Sequence, residues 1–480
     1  MTTTTGSRTT ALRNDVVGVP GIIFFVISAQ APLTGIVGAA GLAVALGNGA
    51  GAPGAYLAVG LVIILFSVGF TTMTRHVDTR GGFYALVRAG LGRNVAPLAS
   101  WLALLTYNAI QAAMYGLFGA TAADLLEQYV GISVPWWGVV GLTVAAVLAV
   151  GMRNIETGAR VMAVLVTAEI AILIALMVGV IATGAAPEGF DLAASFSPRA
   201  VLAGAPGVAI IFAIASLIGF ESTAIYADEA KDAQRTVPRA TYAAVTMIAA
   251  FFALMMFVLV SYYGAGAAQG AALETLATDP AEFVLAPMTA LLGSWAAEVT
   301  AVLLCTSLFA GLLAFHNVVN RYLHSMATHR DLPAGLARTN RHQAPAAAGL
   351  VQTVVVLFIM APFVITGQDP VLALFGWLSG QAVAALMVLY ILTSIAIIAY
   401  FRRHRALGST WSTLVAPSIA LTCLIGELVL IVTNFETLTG GGTATQLVLL
   451  ASVPLVAVAG WTISISTRGD AAVPAVELAD

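Results

Sequence analysis

Cysteine is nearly missing from this 480-residue chain and charge is scarce, with two cysteines and 9% charged residues against 60% hydrophobic ones. Cys305 and Cys423 lie far apart inside apolar stretches, so neither a disulfide framework nor a metal cluster is indicated. Buried free thiols are the expectation. A mean hydropathy of +0.95 excludes a soluble enzyme, because so apolar a chain cannot keep its surface in water. The net charge of −3 is small and the basic residues are spread over many loops, which argues against a nucleic-acid partner. There is no Walker A sequence, so no use of ATP is expected, and no zinc motif or paired catalytic constellation supports a membrane-embedded enzyme. Two apparent motifs also fall away. His329-Arg-Asp-Leu332 lacks the glycine-rich loop of a kinase, and Gly47-Asn-Gly-Ala-Gly51-Ala-Pro-Gly54 lacks the strand and helix of a dinucleotide site. The chain is expected to use no cofactor.

What the sequence does have is long apolar runs. A hydrocarbon core of ~30 Å needs about 20 apolar residues per helix. Runs of that order lie near 17–45, 52–74, 95–123, 134–152, 158–183, 205–227, 240–263, 294–322, 346–366, 371–401, 412–433 and 445–466, twelve in all. The basic residues fall in alternate gaps between them: Arg75, Arg80, Arg88 and Arg93 after the second, Lys231, Arg235 and Arg239 after the sixth, Arg402, Arg403 and Arg405 after the tenth. Of twenty Lys and Arg, only Arg199 falls in a gap on the other side, where Asp124, Glu127, Glu274, Asp279 and Glu282 lie instead. By the positive-inside rule both termini face the cytoplasm. The polar first ten residues lack the apolar core of a signal peptide and read as a disordered tail.

Two of the apolar runs are interrupted near their middles, by Ser28-Ala-Gln-Ala-Pro32-Leu-Thr-Gly35 in the first and Ile218-Gly-Phe-Glu-Ser222 in the sixth. Pro32 has no amide hydrogen and clashes with the preceding turn, so the first helix should break before it and restart with Pro32 at its first position. The N–H groups of Leu33, Thr34 and Gly35 would then face the break, a positive end suited to a carboxylate. The first half of the sixth helix would end with the carbonyls of Ile214 to Leu217 free, a negative end suited to an ammonium. Together they would form a receptor for a zwitterion. Simple kinks in two packed helices would read the same way, since Pro and Gly are common in membrane spans. A weak repeat favours the first reading: Ile22-Ile-Phe24 recurs as Ile210-Ile-Phe212 and Ser28 as Ser216, at one offset of 188 residues. That is also the offset between the first five runs and the next five, and an odd number inverts the second set in the membrane.

Three stretches in order resemble the amino acid–polyamine–organocation superfamily of secondary transporters. They are Ser216-Leu-Ile-Gly-Phe-Glu221-Ser with Asp228-Glu-Ala-Lys231 and Arg235-Thr-Val-Pro238-Arg239; Gly81-Gly-Phe-Tyr84 with Arg88, Gly92 and Trp101; and Asn320-Arg321-Tyr322 with Ser325-Met-Ala and Asp331-Leu-Pro333. The resemblance covers nearly all of the chain. It implies an all-α polytopic membrane protein of twelve transmembrane helices, a LeuT-like five-plus-five inverted repeat with discontinuous helices 1 and 6, and two accessory helices. On that reading residues 1–14 are a cytoplasmic tail, 15–183 the first repeat, 184–204 an extracellular loop, 205–401 the second repeat, 402–466 the accessory helices and 467–480 a cytoplasmic tail. The implied activity is import of amino acids across the plasma membrane by alternating access, as a proton symporter and not as an enzyme. An importer of putrescine- or ethanolamine-like amines and an amino acid exchanger are the alternatives, and a channel is a third class. The expected partners are the small-molecule substrate, a proton and the lipid bilayer; oligomeric state is open, a homodimer being one arrangement.

The resemblance also implies that a substrate carboxylate meets Ser28, Ala29, Gln30, Ala31, Pro32, Leu33, Thr34 and Gly35, and an amine the carbonyls around Ala215, Ser216, Leu217 and Ile218, beside Gly219, Phe220 and Glu221. Glu169 lies at the centre of the fifth run with no basic residue near it in sequence. An ionised carboxylate at mid-bilayer costs about 2.5–3.5 kcal/mol on insertion scales, so Glu169 suits a group that binds a proton on one side and releases it on the other. A permanently protonated, interhelically bonded Glu is the structural alternative. Relatives with proton coupling place a lysine here, and that lysine scheme does not carry over. Glu221 is expected to act in gating, proton coupling or amine recognition, or else to cap the inner half-helix. Asn108 and Gln111 share one helix face and either line the cavity or bond a neighbouring helix. Thr306 and Ser307 are weak sodium candidates, because mid-helix hydroxyls more often bond their own backbone. His316 reads as a packed, hydrogen-bonded side chain.

Overall fold

The first helix, α1 (Val19–Gln30), stops where the sequence says it must. Ala31 takes φ +46°, a left-handed value that a side-chain-bearing residue rarely adopts, and the chain turns helical again from Pro32. The computed structural model describes residues 19–77, 82–153, 159–221, 233–340 and 344–469. After the break the helical stretch α2 (34–48) winds largely as π turns, a form concentrated at functional sites. It is followed by α3 (Ala52–Thr74), α4 (Phe83–Leu91), α5 (Ala96–Val130), α6 (Trp136–Gly151) and α7 (Ala159–Thr183).

The second half begins with α8 (Pro206–Leu217), then α9 (Ala233–Tyr263), α10 (Ser294–Thr328), α11 (Ala346–Ile365) and α12 (Pro370–Arg403). The last two helices are α13 (Ala416–Leu438) and α14 (Thr443–Gly469). Among the described residues there is helix and no strand, and nine helices are long and apolar enough to cross a membrane. The chain is a multi-pass membrane protein. The first, fourth and sixth of the twelve expected spans are the short ones. α1 ends at its break, α6 has 16 residues and α8 stops at Leu217. Between α2 and α3 the backbone leaves the helix at Gly47 (φ −95°, ψ −122°) and turns at Gly49 (φ +56°).

Packing follows from small residues. A Cβ on Gly60 of α3 would lie 2.4 Å from the Ala249 Cβ of α9, so those two helices approach closely enough for backbone contact. Gly60→Val should therefore force them apart and lower the midpoint of thermal unfolding in detergent, at a cost of about 1–3 kcal/mol. The opposite surface is apolar and open. Phe358 is 79% exposed on α11, Leu142 76% on α6 and Val448 70% on α14, which suits a belt in contact with lipid and not water.

Candidate functional site

The two interrupted helices hold each other at their breaks. Gln30 is the last residue of α1, and its Nε2 donates 3.2 Å to the carbonyl of Leu217, the last residue of α8. Ser216 Oγ donates 2.8 Å to Phe212 O within its own helix and lies 3.3 Å from the Gly35 carbonyl. Beyond Leu217 the backbone leaves the helix: Ile218 is extended at ψ 136° and Gly219 has φ +111°, open only to a residue without a Cβ. Glycine is needed at position 35 for space as well, since a Cβ there would meet Phe252 Cζ at 2.9 Å and Ser216 Oγ at 3.0 Å.

Not every group expected to face the break is free. Gly35 N–H bonds the Ala31 carbonyl at 3.1 Å, and Leu33 N–H points 3.4 Å to Glu169 Oε2. The Glu169 carboxylate is 1% exposed and joins two elements, since it sits on α7 and accepts from the restart after the α1 break, with the Ser307 hydroxyl of α10 beside it. An ionised carboxylate strengthens such an N–H bond and a neutral one weakens it.

A cavity of about 40 Å³ lies between the breaks. One wall is Gln30, Ala31, Thr34, Gly35, Ala215, Ser216 and Ile218, the interrupted segments themselves. The other is Ala39, Ile110, Met114, Phe315 and Phe375. Gln30 Oε1 and Thr34 Oγ1 are buried without a hydrogen-bond partner. The side chains of Ser28 and Ala29 lie outside the described residues.

The second wall is what sequence reasoning missed. Ile110 and Met114 are four apart on α5 and so share a face, but an apolar pair in an apolar helix carries no signal. Asn108 and Gln111, the polar pair expected in the cavity, do not line it. Asn108 Nδ2 bonds Leu104 O in its own helix at 2.7 Å. Gln111 Nε2 bonds Leu312 O on α10 at 2.9 Å, and its Oε1 accepts from Gln352 Nε2 on α11. Gln352 Oε1 is then left to accept from His316 Nδ1, so the histidine is packed and hydrogen-bonded as expected. Thr306 Oγ1 bonds Leu303 O at 2.8 Å, which leaves Ser307 as the hydroxyl turned toward the carboxylate.

Glu221 is separate from the cavity lining. It is 9% exposed and receives Tyr107 Oη at 2.8 Å and Gly219 N–H at 3.0 Å, with the Tyr390 hydroxyl nearby. Residues 222–232, which carry the rest of this motif, lie outside the described residues. Around Glu221 stands an aromatic layer. Tyr390 stacks on Phe66 at 4.8 Å and meets Phe220 at 5.9 Å and Phe83 at 5.7 Å, while Phe70 meets Phe220 at 6.2 Å.

The profile of the amino acid permease family matches residues 18–459. The chain belongs to that family. It is 23% identical over 339 residues to the branched-chain amino acid permease BcaP of Lactococcus lactis, covering 67% of this chain and 70% of that protein. It is 27% identical over 359 residues to the L-asparagine permease of Escherichia coli, covering 69% and 66%. A third relative is the low-affinity putrescine importer PlaP of Escherichia coli, 26% identical over 217 residues, covering 44% and 45%. The chain thus spans just under half the length of the putrescine importer it matches.

One further cleft, of about 520 Å³, lies on the acidic side of the protein and is lined by Asp124, Glu127, Asp279 and Asp369. Burial raises Asp279 above the ordinary aspartate range, the Ala281 N–H opposes this, and the Asp369 carboxylate adds to the rise. Asp369 Oδ1 caps the start of α12 by accepting from Val371 and Leu372 N–H at 2.8 and 2.6 Å. Among the described residues no group of three or more His, Cys, Asp or Glu is arranged to hold a metal ion.

Proposed function

We propose that the protein is a secondary transporter that imports an amino acid across the plasma membrane by alternating access, driven by a proton carried on Glu169. The observation that carries this reading is the buried carboxylate that accepts from Leu33 N–H at the α1 break, with the Ser307 hydroxyl beside it. Substrate binds between the breaks with its carboxylate toward Thr34 and Gly35 and its amine toward Gln30 Oε1 and the α8 carbonyls. With Glu169 protonated the N–H bond to α1 weakens, and α1 and α8 become free to rock together against α5, α10 and α12. Release of the proton on the basic side restores the bond. The bond from Gln30 at the end of α1 to Leu217 at the end of α8 supports an inverted repeat with its site at the axis. Basic loops in alternate gaps support cytoplasmic termini.

In this scheme Glu221 is the latch of the basic-side gate, because its bond to Tyr107 joins the break after α8 to α5, with Tyr390 of α12 beside it. Tyr107→Phe removes one hydrogen bond to a charged partner, worth about 1.5–3 kcal/mol. The expected result is faster modification, from the cytoplasmic side, of a cysteine placed at Ile218, with more substrate leak. Unchanged accessibility would dismiss the latch.

Two observations favour second readings. A carboxylate beside the Ser307 hydroxyl is an oxygen set that also suits a hard cation, so sodium is the alternative driving ion. The match to a putrescine importer supports an amine as the alternative solute. Proteoliposomes with imposed pH or sodium gradients, given labelled amino acids, putrescine and ethanolamine in parallel, decide both. Accumulation that follows sodium and ignores pH would sink the proton scheme, and saturable exchange separates a carrier from a pore.

A further inference from the structure

We infer that the cavity selects an α-amino acid with one amine, one carboxylate and a small aliphatic side chain, and rejects diamines and carboxamide side chains. The inference rests on the site proposed above. The polar side chains of the cavity lining, Gln30, Thr34 and Ser216, all belong to the interrupted segments. Gln30 spends its Nε2 on the Leu217 carbonyl, which fixes the amide so that Oε1 is the atom left over, buried, unpartnered and on the cavity wall. A buried acceptor without a donor is rare in a folded protein and points to a ligand that brings one. An ammonium does so, and the unpartnered Thr34 hydroxyl beside it is free to donate to a carboxylate.

The rest of the lining offers nothing to a second polar group. Ile110, Met114, Phe315 and Phe375 form it, with no charged side chain in the lining. The two nearest buried carboxylates are already engaged, Glu169 by Leu33 and Ser307 and Glu221 by Tyr107, Tyr390 and Gly219. The distal ammonium of a diamine or the amide of asparagine would lose its water there and gain no partner, weakening binding by about tenfold or more.

Met114 sets the depth. Its Cε occupies the place of a missing side chain on α10, 2.4 Å from where a Gly311 Cβ would be. Gly311→Ala therefore pushes a flexible methionine toward the substrate without itself lining the cavity, while Met114→Ala makes room.

The test is exchange in proteoliposomes, with alanine, 2-aminobutyrate, leucine, asparagine and putrescine competing for the same labelled substrate. Alanine and 2-aminobutyrate are expected to compete at least about tenfold better than asparagine or putrescine. Met114→Ala is expected to shift preference about tenfold toward leucine, and Gly311→Ala to shift it away. Putrescine or asparagine competing as well as alanine, while Gln30→Leu still lowers all binding, would overturn the selectivity and leave the site standing. Binding untouched by Gln30→Leu would overturn both.

Discussion

Glu169→Gln is expected to abolish accumulation driven by a pH gradient while leaving substrate exchange intact. Glutamine keeps the shape and can still accept from Leu33 N–H and Ser307, the partners that hold the native carboxylate. What it loses is the ability to bind and release a proton. A gradient of one pH unit stores about 1.4 kcal/mol per proton, enough for about tenfold accumulation in one-to-one symport. The variant should equilibrate its substrate and go no further, with counterflow at the wild-type rate. Glu169→Ala removes the acceptor too, so it should weaken binding as well, because the α1 restart loses an anchor. Uptake that kept its full pH dependence in Glu169→Gln would end the coupling assignment.

Gly219→Leu should remove substrate binding. The residue sits at φ +111°, next to Ile218 of the cavity wall, and its N–H donates 3.0 Å to Glu221. A leucine there is strained by about 1–3 kcal/mol, and the relief open to it is to move the break. That displaces Ile218 and the N–H bond together, so affinity should fall more than about tenfold. Gly440→Ala is the control. Its φ of +67° imposes similar strain in the turn before α14, and a Cβ there meets nothing within 4 Å. It should lower thermal stability and leave binding unchanged, which separates loss of the site from loss of the fold. Equal affinity in Gly219→Leu and the wild type would remove the break around Ile218 from the site.

The helices and the interruptions were legible because each has a local cause. Pro32 cannot continue a helix, and α1 ends at Gln30 with Ala31 in the left-handed region. Gly219 tolerates what other residues resist, and α8 ends at Leu217. Polar side chains were less legible. Asn108 and Gln111 look equivalent at i, i+3, yet one bonds its own backbone and the other crosses to α10. Nothing within α5 distinguishes them, since the difference lies in which helix packs opposite. The apolar wall was silent for the same reason, as Ile110 and Met114 resemble any other residues of a buried span.

The sequence by itself determined a membrane chain, its alternation of basic gaps, the positions of both breaks and an isolated carboxylate in the fifth span. Each follows from one segment and the solvent around it: lipid excludes charge and demands paired backbone groups, so every departure shows in the local composition. Only the tertiary structure decided what those departures meet. It set Glu169 against Leu33, 136 residues away, placed Gln30 on Leu217 and chose Met114 and Phe315 to face the breaks. Those pairings depend on helix rotation and crossing, and both are governed by packing between spans that uniformly apolar surfaces leave unmarked in the chain.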